Sequence, residues 1–467
     1  MATASRKKLM TEGDILPIIV KFSIPLILSA LIQILFKAAD KAVLAQLGGV
    51  SDVASINAIG TVVNLIITSL NGLSHGAVIL LSHAIGRKDD GAIRRINNTA
   101  FITAAFLGLL IAVFGACAFN IMPSWVNCPE TSYHGAALYL LFTFIGAPFL
   151  LIYNFSSAAL RATGDSKSPT YYLIVSGVAN LVLNIILCLI LPQKVIAVAL
   201  ATMLSHLISA ALCLRKLRSL GDPYIPDFRP RNFRFATFLS ILKVGLPCAL
   251  EQALFSLGTL PATRAMNSFG DATITGNGAA MEIEGFTNAF ISGFGSSSLT
   301  FIGQNYGAGK KDRIAKGTVI YLIGSTVLAL SMTGLVFLFR IPMLKLFINT
   351  DDAELALAVG CLRTVYIMVP YVINALKNLL ANIVQGLGHT IPGTVNKLLN
   401  VVVFRVIWMT FIFPLYPKVA CIYQCYVVSW MLLFIFDLVI FLYYARKEKI
   451  FKKEENTPSD QKVCENA

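Results

Sequence analysis

Twelve apolar runs, most of about twenty residues or more, succeed one another from end to end of this chain. A helix needs ~20 residues to cross a ~30 Å hydrocarbon core, and a backbone in lipid has no water to satisfy its polar groups, so helices or closed barrels are the available solutions. The runs are Ile15–Leu47, Val53–Ala84, Thr99–Met122, Ala136–Leu160, Pro169–Leu191, Val195–Leu214, Phe235–Phe269, Ile274–Gln304, Thr318–Phe347, Leu355–Val384, Pro392–Pro414 and Val419–Tyr444. They are too long for the ~10-residue alternating strands of a barrel. With 56% hydrophobic and 13% charged residues, the chain also lies far from soluble domains, which are about 25% charged. The expected fold class is an all-α polytopic membrane protein.

The formal net charge of +14 raises the possibility of a nucleic-acid partner, but its distribution argues for orientation instead. Arg6, Lys7 and Lys8 precede the first run; Arg87, Lys88, Arg94 and Arg95 follow the second; Arg161 and Lys167 follow the fourth. Basic clusters then follow the sixth (Arg215 to Arg234), the eighth (Lys310 to Lys316) and the twelfth (Arg446 to Lys453), while most intervening loops are neutral or acidic. By the positive-inside rule both termini are expected in the cytoplasm, in a multi-pass protein of the plasma (inner) membrane. Lys194 and Lys418 in outer loops, and Arg340 and Lys345 near an outer end, are exceptions. The expected partner is the bilayer, with no nucleic acid, and the expected state is monomeric.

The two halves repeat each other at an offset of about 222 residues. "KFSIPL" answers "KVGLPC", "SHAIGRKDD" answers "GQNYGAGKKD", Pro148 answers Pro370, "RATGDSKSP" answers "QGLGHTIP" and Pro192 answers Pro414, always in the same order. Such a series marks an internal duplication. Six spans per half give parallel repeats, an arrangement that places a substrate site between two bundles near the midplane. The expected organisation is a cytoplasmic N-terminus (1–14), an N-lobe of six spans (15–214), an interlobe linker (215–234), a C-lobe of six spans (235–445) and a disordered cytoplasmic tail (446–467). Prolines within spans either pack as kinks or serve bending.

The nine cysteines contain no C-x-x-C pair and imply neither a disulfide framework nor a metal knuckle. No GxxxxGK[ST] loop is present, which argues against ATP-driven export, and no acid-rich metal motif or nucleophile–base pair points to an intramembrane enzyme. A gradient-coupled carrier remains, needing no cofactor besides its coupling ion.

"GNGAAMEIEGFTNAF" (Gly276–Phe290) running into "LTFIGQNYGAGKKDRI", together with "LRATGDSKSPTYYLIVSG", "NGLSHGAVILLSHAIG" and "QILFKAADKAVLAQLGG", resembles the multidrug and toxic compound extrusion family over nearly all of the chain. The resemblance implies a twelve-helix, two-lobe antiporter that expels amphipathic, often cationic, compounds against an inward proton or sodium flux. It implies that Asp40 carries the coupling ion, assisted by Asn180, Asn184 and Thr202. Many relatives have an acid in the fifth span, where Asn184 (or Cys188 in another register) stands here. They more often have Asn at the place of Lys37, a small polar residue at that of Lys41, and an apolar residue at that of His75. A flippase for a lipid-linked saccharide or another anionic amphiphile is the alternative, kept open by Lys37, Lys41 and Arg264.

In "ILFKAADKAVLAQLGG", Gln33, Lys37, Asp40 and Lys41 lie on one helical stripe. A charge in a span usually faces a partner or water, so Asp40 is read as an ion site, with Lys37 either its displaceable counter-charge or half of a static pair, and Lys41 snorkelling outward. In the C-terminal half, Glu282 and Glu284 are candidate cavity acids on different faces, with Asn374, Lys377, Asn378, Arg264 and Arg405 as possible partners, and Glu251 is read as interfacial. Asn57, Asn64 and Asn71 recur every seven residues, lining the cavity or bonding helices together. His75 and His83 lack a third ligand for a metal. Phe36, Tyr153 and Tyr371 are aromatics that either stack on a flat substrate or pack the core.

Overall fold

In the computed structural model, which describes residues 9–126, 128–348 and 353–451, each apolar run is helical. The first lobe holds α1 (Ile15–Leu47), α2 (Val50–Gly86), α3 (Asp90–Ala118), α4 (Glu130–Ala162), α5 (Lys167–Ile190) and α6 (Lys194–Ser219). The second holds α7 (Phe235–Asn267), α8 (Asp271–Gly307), α9 (Lys311–Lys345), α10 (Ala353–Met368), α11 (Tyr371–Gly386), α12 (Ile391–Leu415) and α13 (Val419–Lys447). Local chemistry sets the ends. The Asp89 carboxylate accepts the Ala92 N–H at 2.8 Å and caps α3. Gly164 and Gly388, at φ +83° and +94°, follow α4 and α11 in the left-handed region that glycine reaches without a Cβ clash. They occupy equivalent places in the two repeats.

The tenth span departs from the sequence expectation of one continuous run. It breaks by 48° between α10 and α11, at Pro370, whose ring cannot donate to the helix ladder and crowds the preceding turn. Its repeat counterpart Pro148 leaves α4 intact, with Gly108 of α3 letting the two backbones approach there. The eighth span is long enough, at 37 residues, but is interrupted by Asn277, Glu282, Glu284 and seven glycines. It is the least membrane-like by composition, because it lines the interface between lobes. By contrast Phe106, Leu109, Leu110, Val113 and Phe114 of α3 are more than half exposed and form part of the apolar belt that meets lipid.

The lobes touch along α1 against α8 and α2 against α7. Small residues permit this, since helix association in lipid relies on close packing and interhelical hydrogen bonds. A Cβ on Gly76 would fall 2.5 Å from Gly245 Cα, one on Gly86 2.1 Å from Gln304 O, and one on Gly307 2.2 Å from His83 O. At the other end, Gly60, Gly278 and Gly285 meet nothing within 4 Å. The lobes are thus closed at the end carrying the basic loops and parted at the opposite end.

Two reciprocal hydrogen bonds lock the closed end. His83 Nε2 of α2 donates to Gly386 O at the end of α11, 2.7 Å, and Gln304 Nε2 of α8 donates to Ala162 O at the end of α4, 2.7 Å. Each links a helix of one lobe to a terminal carbonyl of the other, one of the orphan acceptors a helix end leaves. Gln304 Oε1 also accepts from Met10 N at 2.8 Å. Gly307→Val should therefore hold this end apart: Ser82, fully buried here, replaced by Cys, should be unreactive to a membrane-impermeant maleimide in the parent and labelled in the Gly307→Val background, as read by mass spectrometry of the peptide. Equal protection in both would refute the seal.

Candidate functional site

Within the first lobe, Asp40 lies on the side of α1 that meets α5. Its Oδ1 accepts from Asn184 Nδ2 at 2.6 Å, and the same Asn184 amide group reaches Asn180 Oδ1 at 3.3 Å. Asn184 Oδ1 is buried without a hydrogen-bond partner. Asp40, Asn180 and Asn184 are therefore brought together, with Tyr139 of α4 also in electrostatic reach. Thr202 instead turns its hydroxyl to Val198 O of its own helix, 3.0 Å.

The static Lys37–Asp40 pair weighed from the sequence is not formed. Among the described residues Asp40 has an amide partner and no ion pair. On a helix the three-residue step turns Asp40 about 60° away from Lys37, which sends Asp40 toward α5 and Lys37 toward the interlobe space. Lys37 and Gln33 line a cavity of about 270 Å³ between α1 and α8, with Asn288, Ser292 and Ser296 opposite and Arg161 from the end of α4. Lys41, one turn further out, is exposed. Glu282 is exposed too, a turn beyond the rim of the cavity on α8.

Other candidates fall elsewhere. Phe36 packs its ring into the notch left by Gly177 of α5, and Tyr153 belongs to the apolar core of the first lobe, so neither lines the cavity. Asn71 accepts from Asn154 Nδ2 at 2.7 Å and ties α2 to α4; Asn64 is exposed on α2. The side chain of Asn57 lies outside the described residues. His75 sits between the lobes, with Arg161 and Lys397 as charged neighbours.

The interior of the second lobe is a charged array that the sequence reading largely missed. Glu251, read as interfacial, is 3% exposed: Gln385 Nε2 donates to its Oε2 at 2.6 Å, and the Lys397 ammonium stands 3.3 Å from Oε1. Asp437 accepts from Asn396 at 2.7 Å, and Asn400 donates to Asn396 Oδ1 at 2.7 Å. Arg405, fully buried, donates to Ser429 at 3.2 Å and lies over the Tyr426 ring at 4.5 Å. Lys377 donates to Asn378 Oδ1 at 3.0 Å, and Asn374 is buried on the same helix. Glu284 pairs with Arg363 at 2.6 Å, while Arg363 also donates to Asn277 at 3.0 Å. Arg264, an expected partner, is exposed. Lone charges at Lys397 and Asp437 in apolar runs were the available signal, since such charges in spans pair with one another.

The array and the first-lobe site differ in kind. In the second lobe acids and bases sit together, whereas Asp40 offers a carboxylate and amide oxygens without a cation. Among the described residues no three His, Cys, Asp or Glu side chains converge, so the Asp40 site suits a proton or a small oxygen-loving cation better than a transition metal.

Two parallel helical lobes, a cleft between them closed at one end, and ionisable groups inside the spans define a multi-pass membrane carrier. A family profile, MatE, matches residues 25–186 and again 247–410, so the chain belongs to that family, and the two matches start 222 residues apart, in step with the sequence repeat. The chain is 26% identical over 401 residues to the probable multidrug resistance protein YpnP of Bacillus subtilis, covering 85% of this chain and 88% of that one. It is 23% identical over 351 residues to a FAD transporter of Shewanella oneidensis, covering 72% and 75%. Its fold is similar, at TM-score 0.87 and 21% identity over 97% of this chain and 100% of the other, to a MOP superfamily transporter from Pyrococcus furiosus described by the reverse polarity of its binding pocket.

Breaking a buried pair leaves an uncompensated charge, at about 3 kcal/mol or more. Arg363→Met should lower the thermal stability of the detergent-solubilised protein by several degrees, and Glu284→Gln in the same chain should restore most of it. A single variant that melts with the parent would show that the pair contributes nothing.

Proposed function

We propose that the protein is a secondary active antiporter that exports amphipathic small molecules by alternating access in exchange for an inward proton or sodium ion. One observation carries the reading: Asp40, inside a span of the lobe that borders the cleft, holds a carboxylate bonded to Asn184 at 2.6 Å and paired with no basic side chain among the described residues. A proton or sodium ion taken up there would share the carboxylate and the unpartnered Asn184 oxygen, loosening or tightening α1 against α5. A ligand shifts such an equilibrium by its differential affinity for the two states. The parted and closed ends of the lobe interface are the two gates this scheme needs, and a relative named as a multidrug resistance protein supports the substrate class.

The basic loops at the closed end favour a plasma-membrane orientation with both termini cytoplasmic, so that the cleft opens outward. The protein acts as a monomer, each lobe pair enclosing its own cavity, and uses no cofactor.

The test is transport by purified protein in liposomes, loaded with amphipathic dyes of either charge and given a proton gradient or a sodium gradient separately. Gradient-driven movement should fall to background in Asp40→Asn, and the productive gradient names the ion. Undiminished gradient-driven movement in Asp40→Asn would overturn the assignment of Asp40.

A further inference from the structure

The exporter reading leaves open what charge the substrate carries, and the cavity between α1 and α8 speaks to it. The charged side chains that line it, Lys37 and Arg161, are both basic, and no acid is among its lining residues. Neither has an ion pair or a hydrogen-bond partner among the described residues, and Arg161 Nε is buried without an acceptor. Lys37 is exposed to the open cleft and Arg161 is half-buried, so the cavity presents positive charge that no acid among the described residues offsets, and such a concave, one-sign surface draws in an anion. Asp40, three residues from Lys37, is turned to Asn184, and Glu284 is held by Arg363.

The internal repeat sharpens the point. Arg161 of α4 stands where α11 has Gln385, and Ser29 of α1 stands where α7 has Glu251. In the second lobe Gln385 donates to Glu251 at 2.6 Å. In the first lobe the acid is absent and the amide has become a guanidinium, while Ser29 and Arg161 both line the cavity. In the second lobe Lys397 balances Glu251 at these positions, whereas in the first lobe the guanidinium of Arg161 stands without an acid beside it among the described residues.

We propose that this cavity binds an organic anion, with Lys37 and Arg161 supplying from its two ends the positive charge that offsets a carboxylate, sulfonate or phosphate group. This rests on the exporter reading and names its substrate class. Ser29 to Lys37 spans roughly 12 Å of helix rise, so Arg161 sits toward the closed end and Lys37 toward the open end. The amides of Gln33 and Asn288 and the Ser292 and Ser296 hydroxyls supply neutral hydrogen bonds, and Leu26, Ile34 and Ala289 supply apolar wall. A volume of about 270 Å³, just under the usual range for small-molecule pockets, suits a compact fused ring pair with one head group.

The experiment uses the full-length protein in phosphatidylcholine liposomes and two probes with one fluorophore and opposite heads: dansylglycine, an anion, and dansylamidoethyl-trimethylammonium, a cation. Counterflow exchange needs no ion gradient, so it reads the substrate independently of Asp40. The expected result is exchange of dansylglycine, weakened about tenfold in apparent affinity (~1.4 kcal/mol) by Lys37→Ala and again by Arg161→Gln, with Lys37→Glu moving preference toward the cationic probe. Exchange of the cation alone, or of the anion with no response to these changes, overturns the anion assignment while leaving an exporter. If neither probe is exchanged, equilibrium binding to the solubilised protein decides. Affinity for dansylglycine that depends on Lys37 and Arg161 keeps the site and removes the transport reading, and absence of such binding overturns the site. Loss of exchange when phosphatidylglycerol replaces part of the bilayer assigns the anion to a lipid head group, and unchanged exchange assigns it to a free amphiphile.

Discussion

The close backbone approach at one end of the lobe interface is the constraint on which the remaining geometry rests. Lipid gives two helices little hydrophobic reason to associate, so what joins them is packing at small residues and hydrogen bonds that have no water to compete with. Here Gly76 meets Gly245, Gly86 meets Gln304 O and Gly307 meets His83 O at distances no Cβ would allow. The bonds from His83 to Gly386 O and from Gln304 to Ala162 O then fasten the two lobes reciprocally. Because all of this lies at the basic-loop end, the other ends of α1, α2 and α8 are free to part, and the cavity exists in the angle between them.

Duplication gave the two lobes one backbone plan and left their electrostatics to diverge. The second lobe buries Glu251, Glu284, Asp437, Lys377, Lys397, Arg363 and Arg405 wholly or in large part, and most are bonded or paired within the lobe. A network of this kind specifies one packing where its members are satisfied, and here Arg405 Nη1 and Nη2 are left buried without acceptors among the described residues. The first lobe holds fewer charges and leaves them open: Asp40 with amide neighbours, Arg161 and Lys37 facing the cleft. The first lobe is the one that turns basic side chains without ion pairs into the cavity, where a ligand can meet them.

How much of this was readable from the residues depended on which property decided the outcome. Span lengths and the repeat follow from hydrophobic length and fixed offsets, and both survive in the structure. The break at Pro370 was not readable, because Pro148 in the matching place leaves its helix intact and Gly108 accommodates it. The Asp40–Asn184 neighbourhood was legible through resemblance, whereas Glu251 was misplaced at an interface. Its partners Gln385 and Lys397 lie more than a hundred residues away, and nothing in its own helix reports them. Lys397 and Asp437 sat in plain view as lone charges in apolar runs, but periodicity fixes a face only relative to its own helix. The same limit applies to Lys37 and Asp40, where a ~60° difference around one helix separates two neighbouring charges into different compartments.

That separation places a sign problem on α1. Under the proposed coupling, a cation or proton at Asp40 would remove a negative charge one turn from Lys37 and adjacent to Lys41, which by direct electrostatics would strengthen an anion in the cleft, and by reciprocity of coupling the anion would strengthen the ion. Acting alone, this favours the two ligands travelling together. Exchange in opposite directions therefore requires a conformational term of opposite sign and larger size, in which the ion-loaded α1 prefers the state with the cleft closed to the anion. The helix has a place for such a term: Pro25 interrupts its ladder, and the Thr170 hydroxyl of α5 is bonded to Pro25 O at 2.9 Å and to Ser29 at 2.6 Å. A shift of α5 against α1 started at Asn184 thus reaches Ser29, on the wall of the cavity, through one hydroxyl.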